Sequence, residues 1–217
     1  MILDHQVSKT HVVISCGTNA PYPEWAKKSF FKHRDEHLNY SFRTWVDEYP
    51  KGSRSHDQSP YGFKVFAFNW ALSEGYTHIL WIDSAISFVS NPQPIFDFIN
   101  NEGFFCVADS TGNLKRACRH DLFAYHNLTP DQTEDWHFMG GSVIGFNSHS
   151  PKLMEVFHEW SAQERDGYFH SASWPNHRWD ETCLGLSLYK RGIAPIPLDI
   201  SGHPFAKTNR IWTSYKL

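Results

Sequence analysis

Thr77-His-Ile-Leu-Trp-Ile-Asp83 is the stretch that decides the fold of this 217-residue chain. The apolar run Ile79 to Ile82 reads as a buried strand, and it stops on a carboxylate. A charged group at the edge of a core must find a cation or hydrogen-bond donors. Just upstream, Phe63, Phe66, Ala67, Trp70 and Ala71 fall at helical spacing, which predicts a helix over 61–74, stopped by Gly75. Downstream, Asn91-Pro92 breaks the chain, 94–100 reads as a short helix, and Gly103-Phe-Phe-Cys-Val-Ala-Asp109 as another buried strand.

The pattern continues on either side. His11-Val-Val-Ile-Ser-Cys16, stopped at Gly17-Thr18-Asn19, predicts a strand entering a loop. A helix over 23–37, a strand over 39–45 and a polar loop over 50–60 follow. Residues 1–10 are polar and carry no apolar run. The segment 110–137 holds Lys115, Arg116, Arg119, His120 and His126 without periodicity, and reads as a long irregular functional loop. Gly140 to Asn147 is a glycine-punctuated strand, followed by a helix from Ser150-Pro151 to about Gln163, with Ser150 as its cap. An aromatic-rich loop over 166–178, a helix over 180–191 closed by Gly192 and a strand over 194–198 complete the chain. Alternation of strands with helices predicts an α/β fold, a mostly parallel central sheet flanked by helices in a Rossmann-like arrangement.

Composition narrows the class. A hydrophobic share of 41% suffices for one core, so a single domain is expected over 1–217. A net charge of −3 argues against nucleic acid as a partner. Cys16, Cys106, Cys118 and Cys183 have no metal-ligand spacing and read as buried free thiols. No secretory signal and no apolar run of membrane-spanning length is present, so a cytoplasmic protein is expected.

Ligands of open α/β sheets bind beyond the C-terminal ends of the strands, which singles out Gly17 to Asn19, Asp83, Asp109 and the loop near Asp199. The segment from Lys64 through Gly75 to Asp83-Ser84-Ala85 resembles the approach to the DxD motif of GT-A glycosyltransferases, which transfer sugars from nucleotide-diphosphate donors. The chain departs from that motif, because Ala85 stands where the second aspartate belongs. The resemblance implies Mn²⁺ or Mg²⁺ at Asp83, with His203 completing the site and Lys64 or Lys207 on phosphate. It also implies donor contacts from Gly17, Thr18, Asn19, Tyr22 and Ser84, and a division of the domain into a nucleotide-binding half at about 8–109 and an acceptor and sugar half at about 110–217.

Trp136 to Asn147 looks like the strand that lines the family's sugar pocket, with Gly140 and Gly141 letting a sugar lie against backbone; a bulged strand explains the glycines equally. Trp136, Trp174 and Trp179 are the stacking candidates for sugar faces. The helix start at Asp180-Glu181 resembles the place of the family's catalytic carboxylate, while Asp180 as a cap and Glu181 on the helix dipole are the plain alternative. The expected partners are therefore a nucleotide-sugar donor and a glycan or other hydroxyl acceptor. Two rival readings are a non-catalytic glycan-binding relative and a metal-assisted nucleotide phosphohydrolase.

Overall fold

The computed structural model describes residues 1–37, 39–170, 177–196 and 212–214, with backbone alone for 109–111 and 212–214. Its centre is a six-stranded sheet ordered β1 (Ile2–His5), β3 (Ser41–Val46), β2 (His11–Gly17), β4 (His78–Ile82), β7 (His137–Asn147) and β6 (Phe104–Asn113). β2 pairs in parallel with both β3 and β4, whereas β1 and β7 run against their neighbours. β3, β2, β4 and β6 thus share one direction, as the alternation of elements predicts.

Strand residues point alternately to two faces, and each face has its own core. Val12, Ile14, Ile79, Trp81, Cys106 and Ile144 pack on one side with α2 (Phe63–Ser73), α6 (Pro151–Arg165) and α7 (Trp179–Tyr189). Val13, Leu80, Ile82, Phe105 and Val143 pack on the other with α1 (Tyr22–Glu36) and α3 (Gln93–Glu102). The result is a three-layer α/β/α fold. Gly75 (φ 86) ends α2 as expected: Tyr76 N–H reaches the Ala71 carbonyl and Gly75 N–H that of Leu72.

A short strand, β5 (Ile86–Phe88), follows Asp83 and pairs antiparallel with β8 (Trp212–Ser214). β5 is pinned from α1, because Phe88 N–H donates to His33 Nε2 at 2.9 Å and Ser29 Oγ–H to the Ile86 carbonyl at 2.7 Å. Burial holds the His33 pKa down at about 3, so the ring is neutral and accepts.

Several expectations need correction. The polar stretch 1–10 contains β1, an edge strand whose burial alternates but whose sequence has no apolar run. The segment 110–137 is not irregular: it begins with the end of β6 and continues as α4 (Leu114–Ala117), α5 (His120–Tyr125) and a 3₁₀ turn over Pro130–Thr133. Helices of one or two turns are too short to show periodicity. Ser150 occupies the N-cap of α6 but its hydroxyl makes no capping bond. Of the strand expected over 194–198, Ile196 bridges Val107 in parallel, and 197–198 lie outside the described residues. The four cysteines are free and buried.

Candidate functional site

A cavity of about 440 Å³ opens beyond the C-terminal ends of β2 and β4. Thr18, Asn19 and Tyr22 wall it from the β2–α1 loop, Asp83, Ser84, Ala85 and Ile86 from the β4–β5 turn, and Ser142 from β7. The loop before α2 supplies His56 and Tyr61, and Phe63 and Trp81 form an aromatic floor. Gly17 turns the chain tightly into this loop: a Cβ there would stand 2.6 Å from the Tyr22 carbonyl oxygen. Asn19 takes a left-handed conformation (φ 64) and its carbonyl accepts Tyr22 N–H at 3.0 Å.

Asp83 is delivered by register. Ile82 pairs with Val143, and Asp83 N–H donates to the Ser142 carbonyl at 2.8 Å. Its Oδ1 accepts the Trp81 indole N–H at 2.8 Å and lies 3.6 Å from Lys64 Nζ, so the donors that a carboxylate at the core's edge requires come from its own strand and from α2.

Behind Asp83 lies a sealed layer of charge. Lys64, 2% exposed on the first turn of α2, sits 2.9 Å from Asp180 Oδ2 as an ion pair without the alignment of a hydrogen bond, and donates to the Gly141 carbonyl at 2.9 Å. Tyr61 and Trp81 flank it with ring faces at 4.9 and 5.6 Å. Burial disfavours the ammonium, but Asp180, Asp83 and Glu181 together outweigh it and hold the lysine pKa above its ordinary value. Burial raises the Asp180 carboxyl, against the pull of Lys64.

Glu181 is the second carboxylate of this layer. Its Oε1 accepts Gly141 N–H at 2.9 Å and its Oε2 lies 2.7 Å from Arg178 Nε. Burial, then the Asp180 charge, pushes its pKa up to about 7, against Arg178 and Lys64. Gly141 is where the layer meets the sheet: a Cβ would lie 2.8 Å from Glu181 Oε1 and 3.1 Å from Lys64 Nζ. At Gly140 a Cβ would stand 3.2 Å from the Val107 carbonyl oxygen, so this glycine serves the β6–β7 pairing.

The expected site residues thus divide. Thr18, Asn19, Tyr22, Asp83 and Ser84 share the cavity. Lys64, Gly141, Asp180 and Glu181 form the layer behind. Asp180 is not a cap, since Arg178 holds that position and the Asp180 carboxylate turns inward to Lys64. Trp179 (φ 44) packs against Tyr61 with ring centres 5.7 Å apart. Trp136 packs edge-on to Tyr189 of α7, away from the cavity walls. Trp174, Asp199, His203 and Lys207 lie outside the described residues, as does the side chain of Asp109.

Sequence reasoning missed His56, Tyr61, Phe63, Trp81, Ser142 and Arg178. Trp81 was legible as a strand residue two before Asp83; His56 sits in a polar loop that gives no signal. Among the described residues no three His, Cys, Asp or Glu side chains gather as a metal's donor set. Among the described lining residues Asp83 is the one acid, and it stands beside the Lys64 ammonium. The described residues alone do not fit a metal centre.

No protein-family profile matches the sequence, and no curated protein sequence matches it. Among solved structures, a glycosyltransferase involved in the glycosylation of the major capsid of PBCV-1 superposes with a TM-score of 0.51 at 13% identity, over 92% of this chain and 85% of its own. Mouse xyloside xylosyltransferase 1 (TM-score 0.48, 12% identity, 88% of this chain and 85% of its own) is less similar. So is the galactosyltransferase LgtC in complex with donor and acceptor sugar analogs (TM-score 0.45, 11% identity, 85% and 72%). At such identities the likeness is one of architecture, and this chain has the GT-A fold of the glycosyltransferases.

Proposed function

We propose that the protein transfers a sugar from a nucleotide-diphosphate sugar to a hydroxyl acceptor. The observation that carries this reading is the shape of the cavity. It runs from the β2–α1 loop, across an aromatic floor, to Asp83 and the Ser142 end of β7, and its volume of about 440 Å³ suits a nucleotide-sized ligand. The nucleoside lies against Thr18, Asn19 and Tyr22, the diphosphate beside Asp83 and Ser84, and the sugar toward Gly141 and Ser142. Of the two helix-start carboxylates, Glu181 suits proton transfer better. It titrates near neutrality, whereas Asp180 is committed to Lys64. Asp180 and Lys64 are positioning residues, holding the Gly141 carbonyl and Asp83 in place.

The divalent ion expected from the resemblance has one described ligand candidate, Asp83. The test is a thermal-shift titration with UDP-, GDP-, CMP- and dTDP-sugars, each with Mn²⁺ and with EDTA. A ligand at a hundredfold its dissociation constant stabilises a fold by about 2.7 kcal/mol. One nucleotide family should raise the midpoint, and loss of that rise in EDTA and in D83N would assign the ion to Asp83. No rise with any donor would end the transferase reading.

A further inference from the structure

A diphosphate carries negative charge into the cavity, and the described walls answer it poorly. Among the described lining residues there is no lysine or arginine, and the one carboxylate, Asp83, has the same sign as the ligand. Lys64 is behind the wall, 2% exposed and already shared among Asp180, Asp83 and Gly141. One lining side chain can become a cation: His56.

We propose that His56 is the side chain that meets the anionic part of the donor from the loop side of the cavity. This rests on the transferase reading above and adds to it a proton taken up on binding.

The loop that presents His56 is held at two points, His56 and Arg54. The backbone N–H of His56 donates to the Tyr49 hydroxyl at 3.1 Å, and the same oxygen accepts Thr18 Oγ–H at 3.2 Å, so the backbone at His56 is tied through Tyr49 to the β2–α1 wall. Arg54, two residues earlier, pairs with Glu164 at the end of α6 at 2.9 Å. The ring rests edge-on against Tyr61 at 4.8 Å, with Phe63 beyond at 6.4 Å. Partial burial holds its pKa below the ordinary histidine value, with Asp57 opposing and Lys64 adding to the fall. The charged and titratable groups around it are therefore Asp57 on its own loop, Tyr49 after β3, Tyr61 and Lys64 at the start of α2, and Asp83 across the cavity. An anion in the cavity reverses this balance: the empty site favours the neutral ring, and the occupied site favours imidazolium. Binding then draws a proton from solvent, and affinity rises as pH falls by at most about tenfold per pH unit.

The test uses UDP-glucose and GDP-mannose as probes, because both phosphates of such diesters stay ionised across the range, leaving only protein groups to titrate. Dissociation constants are measured by calorimetry between about pH 7.5 and about pH 5.5 at fixed Mg²⁺, in two buffers of different ionisation enthalpy. Wild type should bind about three- to tenfold more tightly at the acid end, with net proton uptake. H56Q keeps a hydrogen-bonding side chain that cannot titrate, and should lose both the slope and the uptake. Glu181 titrates in the same window from behind Gly141, so E181Q is measured in parallel and should retain the slope. Thermal midpoints establish that both variants fold. A slope that persists in H56Q overturns the role of His56 while leaving donor binding intact. Absence of binding by either probe at every pH overturns the transferase reading and this inference together.

Discussion

Lys64 and Asp180 form an ion pair sealed from solvent: 2.9 Å separates Nζ from Oδ2, and each side chain is 2% exposed. A pair of this kind contributes little net stability, yet removing one partner strands the other charge in the core, at a cost of about 3–5 kcal/mol. K64M and D180L should each lose about that much in urea unfolding, and the K64M/D180L double variant should be more stable than either single one. A double variant no better than the worse single would show that the two side chains are not coupled.

Gly141 is predicted to tolerate nothing larger. A methyl group at this position would stand 2.8 Å from Glu181 and 3.1 Å from Lys64 Nζ, inside van der Waals contact, and crowding of a packed site costs about 1–3 kcal/mol. G141A should therefore lower the melting midpoint modestly but depress turnover more, because Glu181 must swing away from its Gly141 N–H bond. Turnover equal to wild type would mean that Glu181 need not be held there.

The pH dependence of stability has two opposed parts. Glu181 has its pKa raised to about 7 in the fold, so between about pH 4.5 and about pH 7 the folded state holds a proton that the unfolded chain releases. Its contribution falls as pH rises through that window, and E181Q should gain on wild type over the same span. Denaturant midpoints of the two proteins, compared at intervals of pH, would reveal a constant offset instead if the carboxyl titrates normally.

Histidines act the other way and outnumber it. Burial lowers His33 to about 3, and His126 and His177 to about 4, so below about pH 6.5 the unfolded state takes up protons that the fold refuses. Each removes up to about 1.4 kcal/mol per pH unit as the medium is acidified. These three histidines outnumber the two raised carboxyls, Asp180 and Glu181, so acidification from about pH 6.5 to about pH 5 should destabilise the protein. H33Q, whose amide oxygen can still accept Phe88 N–H, should flatten the decline; an unchanged slope would place the titration elsewhere.

Asn127 offers a stabilising change. It ends α5 in a left-handed conformation (φ 55), with Leu128 N–H on the Phe123 carbonyl at 2.9 Å and Asn127 N–H on that of Ala124 at 3.0 Å. Glycine is the residue best suited to this position, so N127G should raise stability by about 0.5–1 kcal/mol and N127V should lower it. Equal midpoints for all three would show that the turn is strained by something other than its backbone.

The central strands were legible because each is an apolar run closed by Gly or Asp, and α2 because its aromatic spacing is helical. What escaped was short or tertiary. α4 and α5 contain too few turns for a period to emerge, and β1 borrows its burial from β3. Asp180 at a helix start reads as a catalytic carboxylate or a cap; only the fold brings Lys64, from the first turn of α2, beneath it. Thr18, Asn19 and Asp83 could be placed from strand ends alone, since the cavity of a sheet of this kind lies where its parallel strands stop, whereas Tyr22 follows from the family resemblance. His56 could not, because a polar loop carries no hint of the wall it will become.

The bond from Asp83 N–H to the Ser142 carbonyl joins strands that come from distant parts of the chain and run in opposite directions. The site is therefore spelled in alignment as much as in residue identity. Exchanges of one apolar side chain for another along β4 or β7 leave the alignment untouched, whereas a single inserted or deleted residue in either strand would turn every following side chain to the opposite face. The number of residues in the two strands, and not their chemistry alone, is what keeps Asp83 facing the cavity.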